Sequence, residues 1–183
     1  MDIREYANTE SKIGWLNSLR IFLEQGTKTH EPTQRRGFIG SCIYRFNHHG
    51  FPLKLGTKQA LHNLEEKKKV TRDHVYSLNR VAEYLMKQFD DGYWQWDDVC
   101  RELPVLLTTI LVSPQENNKL GVAQRGGETY SIHDLFKMKH YKDNGFELFV
   151  IPPKITKNGV IRKGPQYYDD ELRTQYIKEL ILA

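Results

Sequence analysis

Two short stretches carry residue types that can do chemistry together. The first is Asp73-His74, a carboxylate beside an imidazole, preceded by Val70-Thr71-Arg72 and the basic run Lys67-Lys68-Lys69. Hydrolysis of a phosphodiester needs a base to deprotonate water, a cation to neutralise charge on the phosphate and leaving oxygen, and a fixed geometry between them. A histidine titrating near neutrality suits the base, and a neighbouring carboxylate suits a cation. In a strand, adjacent side chains face opposite sides, so Asp73 and His74 share one site only where the strand ends or bends. The second stretch is Ser113-Pro114-Gln115-Glu116. It combines a Ser N-cap, Pro at the first helical position and Glu at the third, a capping box that fixes Asn117 in the first turn of a helix. The N-terminus of that helix adds partial positive charge toward an anionic phosphate.

These elements need a scaffold. Ile13, Leu16, Leu19, Phe22 and Leu23 predict a packing helix over 11–25, stopped by Gly26. SCIYRF and FPLKL flank Asn47-His48-His49-Gly50 and read as a β-hairpin, with Pro52 near an edge. Thr57 caps a short helix, KQALHNLEEKKK. The stretch from Val70 reads as a strand, or strand hairpin, ending at Asp73-His74. Leu78, Val81, Leu85 and Phe89 recur at helical spacing, closed by Asp90-Asp91-Gly92. A second helix opens at Asp97-Asp98 and is ended by Pro104, before a buried strand over 105–112. After the capped helix, Gly126-Gly127 is a stop, a helix over 131–141 carries His133 and His140, and Asn144-Gly145 turns into a strand over 146–151. Leu172, Tyr176, Leu180 and Ile181 form a last amphipathic helix. The mixture predicts an α+β fold.

Within this frame three pieces resemble one family. Val70-Thr71-Arg72-Asp73-His74-Val75 resembles the T-x-D-H-V strand of HNH (His-Asn-His, ββα-metal) endonucleases. The stretch 112–120, containing Glu116-Asn117, is similar to the E-N-x-x-L helix start that closes the motif in phage and bacterial members. His140-Tyr141-Lys142-Asp143-Asn144-Gly145 and the following Phe146-Glu147-Leu148 look like the Y-K-x-x-G-I-x-L tail of members lacking zinc-binding Cys pairs. The resemblance covers roughly Lys67 to Leu148. It implies His74 as general base, Asp73 as ligand of a divalent ion, most simply Mg²⁺ with Mn²⁺ as the other choice, and Asn117 as completing the metal site or orienting it. It also implies a ββα-metal unit carrying a helical insertion, over 59–150, with an N-terminal helix and hairpin at 1–58 and a basic arm and C-terminal helix at 151–183.

The third member of the compact motif falls near Arg125 or Gly126, neither a metal ligand. Three resolutions stay open: Asn117 is itself the metal-side residue, His133 or His140 folds back as a ligand, or the site is degenerate and the domain only binds. The implied partner is nucleic acid, double-stranded DNA before RNA, with a homodimer as an option for the N-terminal extension.

The chain has 183 residues and a net charge of +4. Lys154, Lys157, Arg162 and Lys163 lie between Ile151 and Tyr168 without an acid, so this segment carries the whole excess. It reads either as a solvated linker or as an arm along a phosphate backbone. Arg72, Lys119 and Arg125 join it as candidate phosphate contacts. His48-His49 reads as a turn, and Tyr93, Trp94 and Trp96 read as core between two helices rather than as stacking platforms. Two cysteines, Cys42 and Cys100, exclude a disulfide framework and a four-thiolate zinc site. No apolar run reaches membrane-span length, and the acidic opening MDIREYANTESK predicts a cytoplasmic location; the resemblance implies that the cell is a bacterium or a phage-infected host. Neither a glycine-rich phosphate loop nor a nucleophile elbow is present, which argues against a small-substrate enzyme of those classes.

Overall fold

A computed structural model describes residues 2–25, 31–47, 50–125, 138–150 and 166–167. The fold is α+β, and the described residues form two compact units. One comprises the chain up to Phe51 together with Tyr76–Thr108. The other comprises Pro52–Val75 and the described residues from Thr109 to Tyr167.

The first unit is helical. A 3₁₀ turn, Ile3–Tyr6, precedes α1 (Glu10–Glu24), whose N-cap Thr9 accepts from the Lys12 N–H at 3.3 Å. Leu16, Leu19 and Leu23 are its buried stripe, while Ile13, expected on that face, is 47% exposed. Next comes α2 (Pro32–Asn47), and it overturns the hairpin expected around residues 47–50. SCIYRF is helical because the alternation Cys42, Tyr44, Phe46 is part of a longer pattern. Ile39, Cys42, Ile43 and Phe46 are all buried, an i, i+3, i+4, i+7 series that only a helix places on one face, and Tyr44 is left exposed. His48 and His49 lie outside the described residues.

The unit is completed by α4 (Leu78–Asp90), which buries Val81, Ala82 and Leu85, and α5 (Trp96–Leu106). Gly92 closes α4 at φ +74°, its N–H on the Phe89 carbonyl, as the sequence predicts. The start of α5 is fixed by Gln95, whose N–H donates to Asp98 at 2.8 Å. Pro104 does not end this helix. Leu103, Pro104 and Leu106 are all buried, and the Leu107 N–H still closes on the Leu103 carbonyl at 3.0 Å. Apolar packing outweighs the one hydrogen bond that proline removes, and the following strand starts later than expected.

In the second unit, β1 (Phe51–Thr57) leads into α3 (Lys58–Glu65), capped as expected by the Thr57 hydroxyl, which accepts from the Ala60 N–H at 3.1 Å. Then follow β2 (Thr71–His74), β3 (Thr108–Val112), α6 (Pro114–Arg125), α7 (Lys139–Asp143), β4 (Leu148–Val150) and β5 (Gln166–Tyr167). The sheet order is β2-β3-β1-β4-β5. β2 and β3 are antiparallel in the register Thr71↔Val112, Arg72↔Leu111, Asp73↔Ile110 and His74↔Thr109, with α4 and α5 between them in sequence. Gly145, at φ +76°, makes the expected turn before β4. The expected stops at Gly26 and Gly126-Gly127, His133, the arm bearing Lys154, Lys157, Arg162 and Lys163, and the C-terminal helix all lie outside the described residues.

Candidate functional site

The candidate residues Asp73, His74 and Asn117 lie on the β2-β3 pair and the helix that follows it. β2 stops at His74, the condition under which two adjacent residues can serve one site. Within the strand, Thr71 and Asp73 share one face, and Arg72 and His74 the other. Arg72 is exposed, whereas His74 is half-buried with its Nδ1 sealed from solvent.

Asp73 as a whole is half-buried, but its carboxyl end is enclosed, and Oδ2 accepts the hydroxyl of Tyr141 at 2.5 Å. Burial lifts this carboxyl from the usual carboxylate range to about 6, with the phenol's hydrogen bond opposing part of the rise. The fully buried Tyr141 is pushed well above an ordinary phenol, by burial first and by the adjoining carboxylate second. Its neighbour His140 is also buried, ring centroids 3.8 Å apart, and burial alone lowers that imidazole to about 4. The short α7 presents both residues from a turn in which Met138 takes the left-handed conformation, φ +54°. For a side chain other than glycine this costs on the order of 1 kcal/mol, and it is held by a buried Met138 and the Tyr141 N–H on its carbonyl at 3.1 Å.

Helix α6 begins as the sequence predicts. The Ser113 N–H donates to Glu116 Oε2 at 2.8 Å, and the Glu116 N–H donates to Ser113 Oγ at 3.2 Å. The same carboxylate also accepts the Thr57 hydroxyl at 2.6 Å, so it fixes the start of α6 to the end of β1. Asn117 is half-buried in the first turn, its N–H on the Ser113 carbonyl at 3.0 Å. α6 packs on β2, the strand that carries Asp73 and His74.

The candidate phosphate contacts differ. Lys119 is exposed, donates to the Asn144 carbonyl at 2.8 Å and lies 5.1 Å over the Phe146 ring. Arg125 is the last residue of α6. Lys68 and Lys69 line a cleft of about 530 Å³ at the start of α6 with Asn63, Pro114 and Glu116, but Asp73, His74 and Asn117 are not in its walls. Lys68 is also paired with Glu66 at 2.5 Å.

For a divalent ion, the donors expected are the Asp73 carboxylate and the Asn117 amide. Among the described residues no group of three or more His, Cys, Asp or Glu stands together to hold a metal, so His140 does not complete a set with Asp73 and His74. A closed zinc-type site is thus not formed by these residues. Hard oxygen donors from one carboxylate and one amide do fit Mg²⁺, which keeps several waters and takes further oxygens from phosphate.

Nothing in the sequence assigns Tyr141 a role at this site. It stands 68 positions from Asp73, and no local period links the two. The aromatic cluster between α4 and α5 also departs from expectation: Tyr93 is 73% exposed, and Trp94 and Trp96 are half-buried. The buried stripes of the two helices are complete without them, and the two tryptophans line a cleft of about 730 Å³ instead. Arg20 covers the Trp96 ring at 5.7 Å and Trp94 meets Tyr84 edge-on at 5.3 Å. The two arginines in that cleft are paired with acids, Arg4 with Asp2 and Asp97 and Arg20 with Glu24, which leaves it without a net positive charge for phosphate. No family model matches the chain, and no curated protein or solved structure matches it significantly.

Proposed function

We propose that this chain is an HNH-type endonuclease that hydrolyses phosphodiester bonds in DNA, with His74 as the general base toward water. The observation that carries the reading is the order and packing of one unit: antiparallel β2 and β3, then the capped helix α6 packed back on β2. Asp73-His74 at the end of one strand and Asn117 in the first turn of that helix are then parts of a single ββα arrangement.

In this reading the buried Nδ1 of His74 leaves Nε2 as the nitrogen that takes the proton of the attacking water. Asp73 and Asn117 are the residues that would hold a divalent ion, which when bound supplies charge neutralisation at the phosphate and leaving oxygen. Arg72, exposed on the His74 side of the strand, contributes a cation to the DNA backbone. The test is supercoiled plasmid incubated with the protein and Mg²⁺ or Mn²⁺, with His74→Ala as control. Nicking by the wild type that disappears in the variant supports the reading. Nicking that persists in His74→Ala removes His74 as the base.

One observation favours a second reading, a nucleic-acid-binding module without catalysis. The Asp73 carboxyl is enclosed and bonded to Tyr141, an arrangement that also serves a purely structural pair. Retained affinity in a gel shift with plasmid left intact across both metals would select it.

A further inference from the structure

We propose that Tyr141 is a positioning residue for Asp73: its hydroxyl fixes the carboxylate so that Oδ2 faces the protein and Oδ1 is left to an incoming divalent ion. The inference rests on the metal-ligand role given to Asp73 above, and it concerns a residue to which neither composition nor periodicity assigns a task. Three features of the molecule support it. The hydroxyl donates at 2.5 Å, the short length of a hydrogen bond to a charged acceptor. Tyr141 has no freedom to make this contact casually, since it is fully buried, its ring lies against His140, and its turn is entered through the left-handed Met138. The donor comes from α7 and the acceptor from β2, so the contact fixes the carboxylate's rotation from outside its own strand.

A carboxylate with one oxygen fixed presents the other in a defined direction, which lowers the cost of ordering it when an ion binds. Such supporting hydrogen bonds to a ligating side chain typically change metal affinity by about 10- to 100-fold when removed. Tyr141→Phe deletes the hydroxyl and keeps the ring, so it separates positioning from packing.

The experiment measures the rise in melting temperature of the full chain on titration with Mn²⁺, for wild type, Tyr141→Phe and Asp73→Asn. Binding to the folded state raises that temperature by mass action, so the readout does not depend on cleavage. The proposal expects a saturable rise in wild type, none in Asp73→Asn, and in Tyr141→Phe a half-saturating Mn²⁺ concentration higher by about tenfold or more. Plasmid nicking under the same conditions should show the same displacement in metal dependence. An unchanged half-saturation in Tyr141→Phe overturns the proposal, as does a metal response that survives in Asp73→Asn. If Tyr141→Phe does not fold, whether or not Asp73→Asn does, the hydroxyl serves the fold and the proposal is likewise overturned. A displaced Mn²⁺ response with no nicking by wild type would keep the positioning role while removing the nuclease reading, so the two fail separately.

Discussion

Arg35 and Asp90 join two helices through a guanidinium that is only 2% exposed: one Nη donates to both carboxylate oxygens, at 2.8 and 2.6 Å. The remaining donors reach the Phe22 and Leu23 carbonyls at 2.8 Å each, so the same side chain caps the C-terminal end of α1. Arg35 therefore ties α1, α2 and the last residue of α4 together. Removing Arg35 leaves the Asp90 charge without its buried partner and takes a donor from each of the two carbonyls.

Arg35→Ala is therefore expected to destabilise the first unit by about 3 kcal/mol, the low end for a broken buried pair because Asp90 retains 34% side-chain exposure. Arg35→Met, which refills the volume without the charge, should cost clearly less. Urea denaturation of the two variants checks the order. Equal losses would mean that the hydrogen bonds and charge, not packing volume, are what Arg35 contributes.

Glu116 makes a second prediction, on the other unit. Its Oε2 accepts from both the Ser113 N–H and the Thr57 hydroxyl. Glu116→Ala should cost about 1–2 kcal/mol, near the upper range for a lost cap, because the tie to β1 goes with it. Ser113→Ala, which loses only its own hydroxyl contact, should cost about 1 kcal/mol. Comparison of melting curves decides this; a larger loss in Ser113→Ala would contradict the assigned weights.

Elements fixed by contacts close in sequence are legible from the residues alone. The α6 capping box, the Thr57 cap, the Gly92 stop and the end of β2 at His74 each depend on residues within one turn of each other. The C-terminal half of α2 reads as a strand because aromatic and β-branched residues over 41–46 mimic one, and the deciding partner, Ile39, lies just upstream. Pro104 reads as a helix stop because the local rule takes no account of burial on both sides of it. The Tyr141 contact with Asp73 has no sequence signature, since chain topology alone brings α7 to β2. The placement of Asp73-His74 at the end of β2 and of Asn117 in the first turn of α6 is thus visible in the sequence, and the contact between Tyr141 and Asp73 is not.

Two buried groups titrate in opposite senses, which gives a pH prediction with a defined sign. Asp73 is raised to about 6, so the stability it contributes is full below about pH 4, the unfolded value, and is lost as pH rises through about 6. His140 is lowered to about 4, so it contributes stability above about pH 6.5 that is lost as pH falls toward 4. Each effect is on the order of 2–3 kcal/mol, and between pH 4 and 6 they oppose one another. Asp73→Asn should therefore make stability fall more steeply on acidification than in wild type. His140→Gln should make it fall less, or rise. Urea midpoints at intervals from pH 4 to 7 measure both slopes, and parallel profiles for wild type and Asp73→Asn would show that this carboxyl does not titrate there.

Arg72 and Lys119 separate two kinds of surface cation. Arg72 is exposed on β2 beside the candidate base, whereas the Lys119 ammonium already donates to the Asn144 carbonyl and rests over Phe146. A cation that neutralises a DNA phosphate releases a counterion, and its removal lowers the slope of log affinity against log salt by about one. A lysine that must first leave a carbonyl and a ring face contributes less of that slope. Arg72→Ala is thus expected to reduce the salt slope of DNA binding by about one, with Lys119→Ala reducing it by less than half as much. Gel shifts with one duplex at several salt concentrations read both values. Should Lys119→Ala give the larger change, its bond to Asn144 opens on binding, and the loop that follows α7 belongs to the DNA-facing surface.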